Sequence, residues 1–197
     1  MTGTKIFRQE AKFIAGASKV HQIPDLILPQ VAFIGKSNVG KSSLINMVCR
    51  RRDLARVSNT PGRTRQINFF SLGDKLILVD LPGYGYAKVQ EDIKFLWEKL
   101  IVFYLSRSTN LKLVNLLIDS RRGIKENDII VMNMLNTWHR KFQIIFTKID
   151  KINSVDQFVV KNKNYLATLG YLCNVIPTSS KNGEGAKELQ LSLAQSI

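Results

Sequence analysis

The chain has 197 residues, of which 45% are hydrophobic and 22% are charged, the composition of an ordinary globular domain. This length and composition predict a single domain and exclude disordered, collagen-like and coiled-coil proteins. The 29 Lys and Arg residues outnumber the 15 Asp and Glu residues, and the resulting net charge of +14 predicts a polyanionic partner.

Short apolar runs alternate with amphipathic stretches along most of the chain. Six apolar runs predict strands at residues 31–34, 66–72, 76–80, 113–119, 143–147 and 171–177. Five amphipathic stretches predict helices at residues 42–51, 91–106, 126–140, 155–169 and 185–195. This alternation predicts an α/β fold, a doubly wound mixed sheet of six strands with helices on both faces.

The second and third predicted strands are separated only by Gly73, Asp74 and Lys75. Because this connection is too short for a helical crossover, we expect an antiparallel hairpin and hence one antiparallel strand in the sheet. Residues 1–29 precede the first strand and are expected to form a short N-terminal extension, packed on the edge of one domain at residues 30–197.

A glycine-containing loop follows the first predicted strand and opens the first predicted helix, the context that a phosphate-binding P-loop requires. In such a loop the backbone amides and the helix N-terminus point at the phosphates. We expect Lys41 to reach the β- and γ-phosphates and the Ser42 hydroxyl to ligate Mg²⁺. The loop consists of Gly35, Lys36, Ser37, Asn38, Val39, Gly40, Lys41 and Ser42.

Three further polar segments follow predicted strands, where open α/β sheets bind their ligands. Asp80 is predicted to hold a Mg²⁺-bound water, and the Gly83 amide to meet a γ-phosphate. Asp150 is predicted to accept hydrogen bonds from guanine that adenine does not offer, and an amide near Ser180 to contact guanine O6. The segments are Asp80, Leu81, Pro82 and Gly83; Thr147, Lys148, Ile149 and Asp150; and Thr178, Ser179 and Ser180.

A polar, turn-rich stretch lies between the P-loop and Asp80, and its composition is typical of a segment that orders over a γ-phosphate. Thr64 is the candidate for the second Mg²⁺ ligand. Thr64 is also a candidate catalytic residue, together with Lys41, Gly83 and Asn38. The stretch adds Gly62, Arg63, Thr64, Arg65 and Gln66 to the predicted nucleotide contacts.

These motifs together resemble the EngB family of bacterial GTPases, a branch of the translational-type P-loop GTPases. The resemblance lies in residues 35–46, 60–64, 80–88, 117–121 and 147–150, and its most distinctive part is the run Tyr84-Gly85-Tyr86-Ala87-Lys88. It implies a six-stranded G domain that binds GTP and GDP with Mg²⁺. It also implies association with the large ribosomal subunit during its assembly, and a need for the protein in cell division and septation.

Two residues depart from the general GTPase pattern. Thr147 stands where many GTPases carry Asn, so its bracing of the P-loop is expected to differ. Tyr84 stands where the best-known GTPases carry a Gln that orients the attacking water, so we expect slow hydrolysis and a switch-like protein. We also hypothesise that Asn38 helps to hold K⁺ in place of an arginine finger, the alternative being a simple turn residue.

Basic residues gather outside the predicted nucleotide site, and Mg²⁺-bound GTP neutralises only about two positive charges. The remainder is either a solvated basic surface or a surface that binds ribosomal RNA phosphates. The clusters are Arg50, Arg51, Arg52 and Arg56; Arg63 and Arg65; Arg121, Arg122 and Lys125; and Arg140 and Lys141.

The two cysteines, Cys49 and Cys173, match neither a disulfide framework nor a metal-ligand spacing, as expected in a reducing compartment. The charged N-terminus lacks the apolar core of a signal peptide, and no apolar run approaches the roughly 18 residues of a membrane span. We therefore expect a cytoplasmic protein with no membrane association. We also expect a monomer.

The leading hypothesis for function is a slow GTPase switch that binds GTP, GDP and the large ribosomal subunit or its RNA. The alternative is a GTP-gated RNA- or ribosome-binding module whose hydrolysis is incidental. A P-loop ATPase or nucleotide kinase is disfavoured by the segment at residues 147–150, which predicts guanine selectivity.

Overall fold

The computed structural model describes residues 3–56, 66–84 and 91–197, with the backbone alone for residues 91–98. These residues contain seven strands and five α-helices. The strands are β1 (Ala11–Ala17), β2 (Gln30–Gly35), β3 (Ile67–Leu72), β4 (Leu76–Asp80), β5 (Leu111–Asp119), β6 (Phe142–Thr147) and β7 (Val175–Pro177). The helices are α1 (Lys41–Val48), α2 (Glu91–Arg107), α3 (Glu126–Thr137), α4 (Val155–Thr168) and α5 (Ala186–Gln195).

The seven strands form one sheet in the order β1-β3-β4-β2-β5-β6-β7. Strands β4, β2, β5, β6 and β7 pair in parallel, whereas β3 is antiparallel to both β1 and β4. The predicted α/β class, the mixed sheet and the β3–β4 hairpin are therefore confirmed. Because strand β3 runs opposite to all the others, the prediction of one antiparallel strand is also correct.

The sheet has seven strands where six were predicted, because residues 11–17 form β1 at its edge. The segment contains three alanines and a glycine, which have little intrinsic preference for strands. It forms a strand because β3 supplies hydrogen-bonding partners along its length, with a register shift between Phe13 and Ala15. Part of the predicted extension thus belongs to the sheet.

Three helices, α1, α3 and α4, end earlier than predicted for one common reason, and the last strand begins later, at Val175 rather than at residue 171. Arg50, His139 and Gly170 have positive φ angles of 53°, 53° and 81°, and each follows the end of a helix. The next amide then bonds to a carbonyl five residues back, which closes the helix in a Schellman motif. These closing bonds run from Arg51 to Asn46, from Arg140 to Leu135 and from Tyr171 to Leu166.

Apolar cores cover both faces of the sheet, so the central strands are buried on both sides. In β2, Val31 and Phe33 face a core shared with α1 and α5, whereas Ala32 and Ile34 face a core shared with the other helices. Because both faces are covered, these strands reach solvent mainly at their ends. In the part of the chain described here, we find no helix of sufficient length and apolarity for a membrane span.

Candidate functional site

The carboxyl ends of the parallel strands bring the predicted residues to one edge of the sheet. Strand β2 leads into the P-loop, which comprises residues 35–42, and β4 ends at Asp80. Strand β6 ends at Thr147, and Thr178 directly follows β7. Segments that are far apart in the sequence therefore meet along a single line of loops.

The P-loop turns through two residues with positive φ, Asn38 at 64° and Gly40 at 102°. Gly40 directly precedes α1, so the loop delivers its last amides to the helix N-terminus. At Gly35 the requirement is space, because a Cβ atom there would lie 2.7 Å from the Leu117 carbonyl oxygen. The two glycines thus serve the loop in different ways, one by conformation and one by close approach.

Lys41 and Asp80 form a buried ion pair between the first turn of α1 and the end of β4. Only 9% of Lys41 and 2% of Asp80 are exposed, and the Lys41 Nζ contacts the Asp80 Oδ1. Ser42 follows Lys41 on the helix, so a hydroxyl and a carboxylate lie at this edge, and both are oxygen ligands of the kind Mg²⁺ prefers. The donors present therefore fit Mg²⁺.

Thr147 braces the P-loop from the end of β6. Its Oγ1 donates a hydrogen bond of 2.7 Å to the carbonyl oxygen of Val39, and both residues are buried. The hydroxyl of a threonine thus bonds directly to the loop at the position where many GTPases carry an asparagine.

We expect the Thr147→Val variant to have a free energy of unfolding about 1–3 kcal/mol lower than that of the wild type. Valine has the same shape as threonine, but it leaves the buried Val39 carbonyl without this donor. Urea unfolding at pH 7 measures the difference. Thr137→Val is the matched control, since the Thr137 hydroxyl bonds to Asn133 on the exposed surface of α3. Equal changes for the two variants would contradict the bracing role.

Lys148 links the P-loop to the end of β5. Its Nζ donates to the Asn38 carbonyl oxygen at 2.7 Å and to the Asp119 Oδ2 at 2.9 Å. Its own carbonyl accepts a bond of 3.0 Å from the Ser120 hydroxyl. The side chain of Lys148 therefore holds two strand ends and the P-loop together.

Asp119 is a buried carboxylate between two cations. Arg121 binds it with two nitrogens, Nε at 2.9 Å and an NH2 group at 2.6 Å, in addition to the bond from Lys148. Burial acts to raise the pKa of Asp119, but the hydrogen bonds from Arg121 and Lys148 outweigh it and hold the pKa well below its usual range. The carboxylate is therefore charged throughout the physiological pH range.

The far end of the same edge carries Asp150. The Ser179 hydroxyl donates to the Asp150 Oδ1 at 2.7 Å, and this bond is the main cause that lowers the pKa of Asp150. The Ile149 amide bonds to the Thr178 carbonyl at 3.2 Å, so the loops after β6 and β7 are tied together. Ser180, the predicted guanine O6 contact, lies exposed directly beside this pair.

The segment from Leu81 to Gly83 runs from β4 along the P-loop. The Leu81 amide bonds to the Phe33 carbonyl at 3.0 Å, and a Cβ atom added at Gly83 would lie 3.0 Å from the Ser37 nitrogen. Gly83 therefore lies against the P-loop, and its predicted contact with a γ-phosphate is compatible with this position.

The remaining predicted residues fall into two groups. Gly62, Arg63, Thr64 and Arg65 lie outside the described residues. Gln66 is described, and its Nε2 donates to the Asn68 Oδ1 at 2.8 Å while the side chain lies against Gly16 of β1.

Sequence reasoning did not identify Asp119 or Asp128 as site residues. Asp119 ends a buried parallel strand, as Asp80 does, and that repeated pattern is the signal by which it was recognisable. Asp128 is buried in the first turn of α3, where an acidic residue is ordinarily a capping residue, so no local signal distinguished it.

A family profile described as 50S ribosome-binding GTPase matches residues 30–148. The "Probable GTP-binding protein EngB" of Rickettsia prowazekii is 60% identical over 194 residues, which cover 98% of this chain and 91% of that protein.

Solved structures of other proteins share the fold. A crystal structure of a probable GTP-binding protein engB superimposes with a TM-score of 0.66 at 23% identity, covering 84% of this chain and 97% of that one. Era in complex with MgGDPNP and nucleotides 1506–1542 of 16S ribosomal RNA has a TM-score of 0.71 at 20% identity. That match covers 87% of this chain and 57% of the Era chain.

Proposed function

The chain belongs to the EngB family of GTP-binding proteins, and from this premise we propose that it is a slow GTPase switch acting in large ribosomal subunit assembly. We extend the proposal to a cytoplasmic monomer that is needed for normal cell division and septation. GTP binding and hydrolysis follow from membership of the family, whereas the rate and the ribosomal role are the proposal.

The nucleotide-binding part of the proposal rests on the arrangement of residues along one edge of the sheet. The buried Lys41 lies at the P-loop end of this edge, and the Asp150–Ser179 pair lies at the other end. Between them, Thr147 and Lys148 bond to the carbonyls of the P-loop itself. A nucleotide with its phosphates on the P-loop and a guanine at Asp150 matches this arrangement.

We propose that the hydroxyls of Ser42 and Thr64 would be the protein ligands of Mg²⁺, and that Asp80 would hold a water bound to the ion. The ion supplies charge neutralisation for the phosphates, while Lys41 and the Gly83 amide stabilise charge at the γ-phosphate. Asn38 is exposed and in a left-handed conformation, and we propose it as a K⁺ ligand near the phosphates.

The slow rate is supported by the position of Tyr84. Its hydroxyl donates to the Asp128 carboxylate in α3, so this group is already engaged in a hydrogen bond within the protein. The best-known GTPases have a glutamine at this position, whose side-chain amide orients the attacking water. In this chain the position is occupied by a phenol that is hydrogen-bonded to Asp128. We expect turnover to need help from a partner.

The ribosomal part of the proposal is supported by a shaped basic surface after α1. The Asn46 side chain donates to the carbonyls of Arg52 and Ala55 at 3.0 and 2.9 Å and accepts from the Ala55 amide at 2.7 Å. The turn is thereby held on a buried anchor, and Arg50, Arg51, Arg52 and Arg56 point outward and are exposed. Exposed arginines on a turn that is fixed in place are well suited to contact the phosphate backbone of RNA.

A second basic surface lies at the nucleotide edge. Arg122 and Lys125 are exposed beside Arg121, on the loop between β5 and α3. The Era structure with 16S ribosomal RNA supports RNA as a partner of this fold, and the 50S description of the matching profile supports the large subunit. Contact with RNA phosphates would account for more of the +14 charge than the nucleotide does.

Co-sedimentation with purified large ribosomal subunits, in GDP and in a non-hydrolysable GTP analogue, tests this proposal across a salt series. We expect tighter binding with the GTP analogue and a steep loss of binding with salt. A variant with Arg50, Arg51 and Arg52 changed to glutamine should lower the slope of log K against log salt by about one unit for each phosphate contact that is lost.

The matched control removes three charges elsewhere, with Lys161, Lys163 and Lys187 changed to glutamine. All three lysines are exposed on α4 and α5 and lie outside the basic clusters proposed to contact RNA, so we expect this variant to retain wild-type binding. Equal binding with the two nucleotides, or equal loss in the two variants, would contradict the proposal. Nucleotide-dependent binding without stimulated turnover would favour the alternative, a GTP-gated binding module with incidental hydrolysis.

A further inference from the structure

Tyr84 is bound to the P-loop through its backbone. Its amide donates to the Gly35 carbonyl at 3.2 Å, and its carbonyl accepts from the Ser37 amide at 3.3 Å. These two bonds form a parallel bridge with Lys36 that extends the pairing of β2 and β4 into the loops. The residue after Gly83 is thus attached to the loop that precedes α1.

The side chain of Tyr84 leads away from the P-loop to α3. It borders a cavity of about 140 Å³ between the P-loop and the start of α3, and its hydroxyl donates to the Asp128 Oδ1. Burial raises the pKa of Tyr84, and the charge and hydrogen bond of Asp128 raise it further, well above its usual range. The phenol therefore stays protonated and remains a donor.

Asp128 is a well-held acceptor. It is 6% exposed, and its other oxygen, Oδ2, accepts a bond of 2.9 Å from the Lys125 amide at the start of α3. Because this bond ties the carboxylate to the helix N-terminus, Asp128 has little freedom to follow a moving tyrosine. The hydrogen bond from Tyr84 thus attaches the segment after β4 to a second, rigid element.

Gly83 is confined by these attachments. A Cβ atom on Gly83 would lie 3.0 Å from the Ser37 nitrogen and 3.1 Å from the Ser37 Oγ. The Leu81 amide anchors the segment on one side, and Tyr84 anchors it on the other. The location of the Gly83 amide therefore depends on where Tyr84 is held.

We propose that the Tyr84–Asp128 hydrogen bond is a latch that positions the Gly83 amide for a γ-phosphate and so raises the affinity for GTP relative to the affinity for GDP. GDP has no γ-phosphate, so the latch acts on GTP binding alone. Holding a binding group in place before the ligand arrives reduces the ordering cost of binding. Tyr84 is a positioning residue in this scheme, and the inference rests on the proposed role of Gly83.

The Tyr84→Phe variant tests the latch, because it removes the hydroxyl and retains the ring. The full chain is titrated calorimetrically with each nucleotide in a buffer that contains Mg²⁺. The titrations give the Kd of a non-hydrolysable GTP analogue and the Kd of GDP. We expect the GTP analogue to bind about 3- to 10-fold more weakly, since the Gly83 amide is then no longer held in place beforehand and must be ordered when the γ-phosphate binds. The Kd of GDP should remain within about 2-fold of the wild-type value.

Tyr171→Phe is the matched control. The Tyr171 hydroxyl also donates to a residue of α3, Asn133, but on the exposed surface. Its removal should leave the ratio of the two affinities unchanged. Combining Tyr84→Phe with Asp128→Asn provides a second measurement, in which the double variant should lower the ratio no further than the larger single effect.

Three outcomes for Tyr84→Phe would overturn the latch: an unchanged affinity ratio, an equal loss for both nucleotides, or tighter binding of the GTP analogue. Failure of the wild-type protein to bind either nucleotide would instead contradict the proposed function. The two failures are therefore distinguishable within the same titrations.

Discussion

The Asp150→Asn variant should bind GDP and GTP about 100- to 10,000-fold more weakly than the wild type, because two hydrogen bonds to a charged acceptor are lost. In the proposed site the carboxylate accepts bonds from guanine N1–H and the exocyclic amine. In the variant, the NH2 group of the asparagine side chain would face one of these two guanine donors, and two donors cannot form a hydrogen bond with each other. Titration with a fluorescent GDP analogue measures the loss.

A nucleotide whose base matches the hydrogen-bonding groups of the variant distinguishes this effect from general damage to the site. Xanthine carries a carbonyl where guanine carries the exocyclic amine, so the variant should prefer xanthosine diphosphate to GDP. The Ser179 hydroxyl can still donate to the oxygen of an asparagine at this position, so the loop should remain intact. Asp156→Asn, at an exposed position in the first turn of α4, is the control and should retain GDP binding.

Retained preference for GDP over xanthosine diphosphate and over ADP in Asp150→Asn would contradict the guanine assignment. Guanine selectivity would then have to come from another residue.

The Lys41→Met variant should lose measurable GTP hydrolysis and also about 3–5 kcal/mol of the free energy of unfolding. The lysine is the phosphate-binding cation of the proposed site, and it is the partner of a carboxylate that is only 2% exposed. Without the ammonium group, Asp80 would be a buried charge with no partner, which is costly. Urea unfolding at pH 7 and single-turnover hydrolysis measure the two effects.

A double variant separates catalysis from folding. Lys41→Met combined with Asp80→Asn removes both charges, so most of the lost stability should return while hydrolysis stays absent. Lys112→Met, at an exposed position in β5, is the matched control and should change stability by no more than about 0.5 kcal/mol. Hydrolysis by the double variant would contradict the role of Lys41.

The α/β class and the phosphate loop were predictable from the sequence because their signals are local. A strand, a glycine turn and a helix stand in one run around Gly35, Gly40 and Lys41, and the two glycines are needed at their positions for backbone reasons. The β3–β4 hairpin was equally readable, since a connection of three residues leaves no other pairing. Burial of the parallel strands also followed from their continuous apolar runs.

Helix ends were less predictable where the closing residue is not glycine. Arg50 and His139 adopt the left-handed conformation that ordinarily favours glycine, so the sequence offered no stop signal at α1 or α3. The strand β1 was also not evident, because its alanines and glycine form a strand only through the bonds that β3 provides. In both cases the deciding bonds come from the folded chain.

The sequence by itself determined which residues are the candidates for phosphate and guanine binding, because each motif is a few consecutive residues at the end of a strand. Only the tertiary structure decided how those motifs are held. Thr147 and Val39 are 108 residues apart, Lys148 and Asn38 are 110 apart, and Tyr84 and Asp128 are 44 apart. Such bonds depend on the strand order and on the burial that the fold creates, and neither is encoded in any short segment.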